Sequence, residues 1–126
     1  MIINFSSYVK ESVEDITISR SIWEMGDEFL TYYNIFEYLK KEMIGRTVNV
    51  SEYLKMPLRT WHARATIKVS EVVLDERKYE FHFIGRVSNG HEEDFLIPEK
   101  STITWTRTIN RNVNELDPYG EEDISE

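Results

Sequence analysis

From Ser21 onward apolar residues recur every three or four positions: Ile22, Met25, Phe29, Tyr33, Phe36, Leu39 and Met43. That spacing is one face of a helix. Ser21 and Glu24 stand at capping-box distance, but Gly26 inside a helix costs about 1 kcal/mol relative to alanine, so the regular helix is expected from near Asp27 to Gly45. Tyr32, Ile35 and Tyr38 add apolar surface off the main stripe, and a helix apolar on so many sides calls for a broad cover. Ahead of it, VEDITISR alternates around Ile16 and Ile18 and reads as a first strand.

Past Gly45 the period drops to two. Val48, Val50 and Leu54 alternate with polar residues until Pro57 ends the run. In TWHARATIKVSEVVL the apolar face runs Trp61, Ala63, Ala65, Ile67, Val69 and then becomes Val72 and Leu74. A β-bulge at Ser70 or Glu71 restores both halves to one face. With DERK as the next loop, Val69 is expected opposite Phe83 and Ala65 opposite Val87. A three-residue loop at SNG, with Gly90 left-handed, sets Phe83 opposite Phe95 and Phe81 opposite Ile97. The last strand, STITWTRTI, places Ile103, Trp105 and Ile109 on one side and four threonines on the other, which reads as a solvent face. A strand, an apolar helix and four or five antiparallel strands make an α+β domain.

Composition narrows the chemistry. The chain has 126 residues, enough for one domain, here set at residues 1–111. Residues 112–126 carry six acidic residues and no basic one, and read as a solvated, mobile tail. A formal charge of −8 argues against nucleic acid. There is no cysteine, and His62, His82 and His91 lack ligand spacing, so no metal site and no cofactor are expected. No apolar run reaches the roughly 20 residues of a membrane span. The opening MIINFSSYVKE lacks a basic segment followed by an apolar one, so no membrane association and a cytoplasmic location are expected.

From about Val13 to Asp117 the pattern resembles the hot dog fold of the thioesterase and dehydratase superfamily, in particular its 4-hydroxybenzoyl-CoA thioesterase branch. The residues that carry the resemblance are MGDEFLTYY leading into the helix, the Leu54–Leu58 segment with its proline, the strand after it, and the hairpin YEFHFIGRVSNG. The resemblance implies a curved antiparallel sheet wrapped around one long helix. It also implies a homodimer or dimer of dimers, and action on an acyl-CoA or acyl-carrier-protein thioester. Met25, Gly26 and Tyr33 fall at family positions, whereas the family's aspartate positions fall on Ser21 and Trp23.

Thioester hydrolysis needs an oxyanion donor and a carboxylate. A helix start at Gly26–Glu28 would offer free N–H groups, with Glu24 or Asp27 as base and Glu37 as the outside candidate. The plainer role for Glu24 and Asp27 is to complement the helix dipole. Trp23, Tyr33 and Trp61 could wall an acyl tunnel, and Arg59, His62 and Arg64 could meet phosphates. Two alternatives stand beside hydrolysis: a dehydratase or isomerase on the same fold, and a noncatalytic interaction module with an SH3-like or Sm-like barrel. The helix discriminates, since a hot dog sheet buries residues 29–43 whereas a barrel carries its helix across one end.

Overall fold

The computed structural model describes residues 9–114. In chain order these form β1 (Val9–Ser21), α1 (Ile22–Phe29), α2 (Tyr32–Met43), β2 (Thr47–Lys55), β3 (Thr60–Asp75), β4 (Glu80–Arg86), β5 (Glu93–Ile97) and β6 (Thr102–Asn114). The acidic segment from residue 115 onward lies outside the described residues. Among the described residues two compact units are present, residues 17–105 and a second formed by residues 9–16 with 106–114. In the second, the Thr108 hydroxyl donates to the Asp15 carboxylate at 2.7 Å.

The single long helix does not form. α1 starts at Ser21, where the full capping box is made: the Ser21 hydroxyl accepts from the Glu24 amide at 3.1 Å and the Glu24 carboxylate accepts from the Ser21 amide at 2.9 Å. Gly26 therefore sits inside α1 rather than at a helix start. The helix ends at Leu30, which takes the left-handed conformation (φ 70°) and donates its amide to the Gly26 carbonyl. Thr31 then caps α2 by accepting from the Asn34 amide at 3.1 Å. A second helix of 12 residues, with Tyr33, Asn34, Glu37 and Lys41 exposed, lies on the sheet with one face outward. This overturns the hot dog expectation, which requires one long central helix enclosed by the sheet.

The sheet has the order β1-β6-β2-β3-β4-β5, with β2 and β5 also paired. One side of β2 is taken by β3 along its length, and the other is shared. Asn49 and Val50 pair with Thr104 and Ile103 of β6, while Leu54 and Lys55 pair with Leu96 and Phe95 of β5. Strands β2, β3, β4 and β5 thus close a ring of antiparallel pairings. Between the two partners the ladder is bridged by a side chain. The fully buried Ser101 hydroxyl accepts from the Glu52 amide and donates to the Glu52 carbonyl, at 3.1 and 2.8 Å.

The ring closes over Phe81, Phe83, Phe95 and Trp105, and the helices add Ile22, Met25, Leu39 and Met43 to the same core. The bulge lies where the apolar phase slips, with the register shifting between Val69 and Glu71 around Ser70. Phe81 pairs with Ile97 and Phe83 with Phe95, as expected. The β3–β4 hairpin is offset from expectation: Val69 faces Gly85 and Val72 faces Phe83. Its loop extends to Tyr79, which is left-handed (φ 57°), and the Asp75 carboxylate accepts from the Arg77 amide. In the next loop the left-handed residue is Ser88, not Gly90.

Candidate functional site

The break between α1 and α2 leaves a cavity of about 270 Å³. Ile22, Trp23, Gly26 and Asp27 line it from α1, Leu30 and Thr31 from the break, Tyr32 and Ile35 from α2, and Glu99 from the β5–β6 corner. Each contribution follows from local structure. Trp23, Gly26 and Asp27 are spaced by three and one along α1 and so share a helix face. Tyr32 and Ile35 are likewise three apart on α2. The corner is tied to α1 by the Trp23 amide, which donates to the Glu99 carbonyl at 2.9 Å.

Gly26 decides how deep the cavity is, because a Cβ built there meets nothing within 4 Å. The rim is apolar and exposed: Trp23 keeps 60% of its surface accessible and Leu30 80%. The polar part of the wall is acidic, with Asp27 and Glu99 and no basic side chain. The Tyr32 hydroxyl donates to the Glu99 carboxylate at 3.2 Å. Burial first, and the hydrogen bond to Glu99 second, push the Tyr32 phenol above its ordinary pKa, so it remains a proton donor in that bond. The Tyr32 ring also stacks on Tyr79 at 4.7 Å.

Beyond that stack lies a second cavity of about 310 Å³, lined in part by Arg59, Tyr79, Glu80 and Phe81, with Glu99 again in its wall. There Arg59 is committed to Glu80 at 2.8 Å, and that partner raises the guanidinium pKa further.

Of the expected site residues, Trp23, Gly26 and Asp27 meet in the first cavity. The others do not join them. Glu24 holds the capping box, and Glu37 pairs with Lys40 at 3.1 Å on the outer face of α2. Tyr33 is 61% exposed, since a helix beginning at Tyr32 turns the next residue outward. Trp61 lies on β3, exposed, with its indole N–H donating to Glu52 at 2.8 Å. His62 stacks on Tyr53 at 5.3 Å, Arg59 belongs to the second cavity, and Arg64 is exposed with φ 60°. The expected free N–H groups at Gly26–Glu28 are absent, because those residues are interior to α1.

Sequence reasoning passed over Leu30, Thr31, Tyr32 and Glu99. Thr31 offered the one local clue, a hydroxyl three residues before Asn34 that can start a helix. Glu99 reaches the site only through the tertiary turn at Pro98–Ser101, closed by the Ser101 amide on the Pro98 carbonyl. Among the described residues no three histidine, aspartate or glutamate side chains converge as a metal site would require, and no helix is long and apolar enough to cross a membrane. The chain matches no protein-family model, and neither a curated protein nor a solved structure shows significant similarity to it.

Proposed function

We propose that this chain is a noncatalytic binding module whose ligand site is the cavity at the α1–α2 break. One observation carries the reading: two cavity residues break local rules in opposite senses. Gly26 occupies a helix interior, where glycine is about 1 kcal/mol worse than alanine, although a methyl group would fit. Four residues later Leu30 occupies the left-handed cap, where glycine is the usual residue and a Cβ costs roughly 1 kcal/mol or more. Stability alone would favour a small side chain at 26 and none at 30. The arrangement present hollows the floor and raises an apolar wall, and local departures of this kind concentrate where a surface is used.

Size and composition favour binding over thioester hydrolysis. Small-molecule sites usually occupy about 300–1,000 Å³, and at about 270 Å³ this cavity suits one side-chain-sized group. The hydrolase expectation rested on a fold the chain does not have and on N–H groups that α1 uses internally. Hydrolysis also needs a base with a donor facing it. Glu24 is engaged by the helix cap, and of the two hydroxyls beside Asp27 in the wall, Tyr32 donates to Glu99 and Thr31 caps α2.

The test is a fragment screen by amide and indole chemical shifts on the full chain, run beside a thiol-release assay on a panel of acyl-CoA thioesters. The expected result is that fragments move the Gly26 and Thr31 amides and the Trp23 indole, while the Trp61 indole stays still and no thiol appears. Turnover of any thioester, abolished by Asp27→Asn, would overturn the reading in favour of catalysis.

A further inference from the structure

We infer that the group this cavity takes is an organic ammonium cation, as carried by a lysine side chain. The inference rests on the binding-module reading and names its ligand class. Three observations converge. The charged groups in the wall are two carboxylates, Asp27 and Glu99, and no lysine, arginine or histidine lines it. Asp27 is exposed at the opening and makes no hydrogen bond or ion pair among the described residues, so its charge is available to an incoming cation. The remaining wall includes Trp23 and Tyr32, and indole is the ring that attracts a cation best. The Lys100 ammonium already stands 5.5 Å from the centre of the Trp23 ring, so the indole accepts such a group and an incoming cation has to share it with Lys100 or displace it.

An anion is disfavoured by the same wall, which offers it like charges. A neutral apolar group would fill the space yet leave two carboxylates facing it, and a cation offsets their desolvation. The second cavity does not present this chemistry, since Arg59 and Lys78 stand in its wall and Arg59 already neutralises Glu80. The carbon chain of a lysine or an alkylammonium would lie against Leu30 and Ile35, with the charge toward Asp27.

The experiment titrates the full chain with n-butylammonium, n-butanol and n-butyrate, reading the Gly26 and Thr31 amides and the Trp23 indole. A capped Ala-Lys-Ala peptide is added as a fourth ligand. The expected order is n-butylammonium well ahead of n-butanol, with n-butyrate not binding. Asp27→Asn, a surface change whose fold is checked by its melting curve, should weaken n-butylammonium about fivefold and leave n-butanol unchanged. Raising salt should weaken the cation alone. A peptide that binds more tightly than n-butylammonium assigns the natural source to a protein chain, and equal affinity assigns it to a free amine. If n-butanol moves the cavity residues as strongly as n-butylammonium, the cation assignment falls and the binding-module reading survives. If none of the four ligands moves them, both fall.

Discussion

Replacing Gly26 with alanine should make the protein more stable and its site worse. In the interior of α1 the exchange gains about 0.8–1.0 kcal/mol from helix propensity, because alanine leaves the unfolded chain with fewer conformations to lose. Two terms could cancel that gain, and neither applies. A clash would subtract from it, but the added Cβ has no heavy atom within 4 Å; a left-handed backbone would subtract, but Gly45 is the residue with positive φ among the described glycines, not Gly26. For a chain of this length 1 kcal/mol corresponds to a rise of about 3–5 °C in Tm. The same methyl projects into the cavity that Gly26 lines, so a fragment seated there should bind several times more weakly. The assay pairs a thermal melt by circular dichroism with the fragment titration. A variant that is less stable than the parent would refute the reasoning, for it would mean that Gly26 is there for packing. A variant that is more stable yet binds equally well would detach the glycine from the site.

Other substitutions probe the frame that holds the cavity. Gly85→Ala should cost more than about 3 kcal/mol, because its Cβ would stand 2.2 Å from the Lys68 carbonyl and 2.9 Å from Ile67 Cγ2 beside the bulge; a urea midpoint close to the parent's would show that β3 and β4 do not approach so closely. Ser21→Ala should lose about 1 kcal/mol as the capping box opens, whereas Glu24→Gln, which keeps an acceptor for the Ser21 amide, should lose less than half of that in the same unfolding experiment. The Arg59 hydrogen bonds hold the Glu80 carboxyl below its ordinary range. A depressed folded pKa means stabilisation that is full above the unfolded value, about 4.3, and lost as pH falls through the lower folded one. The stability gap between the parent and Arg59→Gln should therefore narrow on acidification from pH 7 to 3, and a gap of constant size would contradict the assignment.

What the sequence shows of this fold depends on how local each determinant is. The bulge at Ser70 is written in the phase slip from Val69 to Val72, and the β4–β5 register is written in the matching alternation of Phe81, Phe83, Phe95 and Ile97. Both are period-two facts that survive without tertiary knowledge. The ring is not written that way. Its closure depends on β2 having two partners on one side, and the residue that bridges them, Ser101, looks in the sequence like any strand-preceding serine. The helix break is hidden for a related reason. Ile22, Met25, Ile35, Leu39 and Met43 are all buried, so the apolar stripe runs on across a break that it does not reveal.

The site was half legible, and the half that was missed explains the rest. Gly26 draws attention because a glycine breaks helical expectation, and the sequence places it just before a helix starting near Asp27, whereas α1 is already capped at Ser21. With the glycine placed at a helix start, Glu24 became a free carboxylate and the amides after it became free donors. With the glycine placed inside α1, Glu24 is the capping partner, the donors are consumed, and the true break moves four residues on to Leu30 and Thr31. Leucine is a strong helix former and gives no warning of a left-handed cap. The Leu30 amide reaches back to the Gly26 carbonyl, so the glycine that deepens the floor and the leucine that raises the wall are joined by one backbone hydrogen bond at 3.0 Å. The same turn that ends α1 therefore fixes the distance between floor and rim, and with it the size of group the cavity can admit.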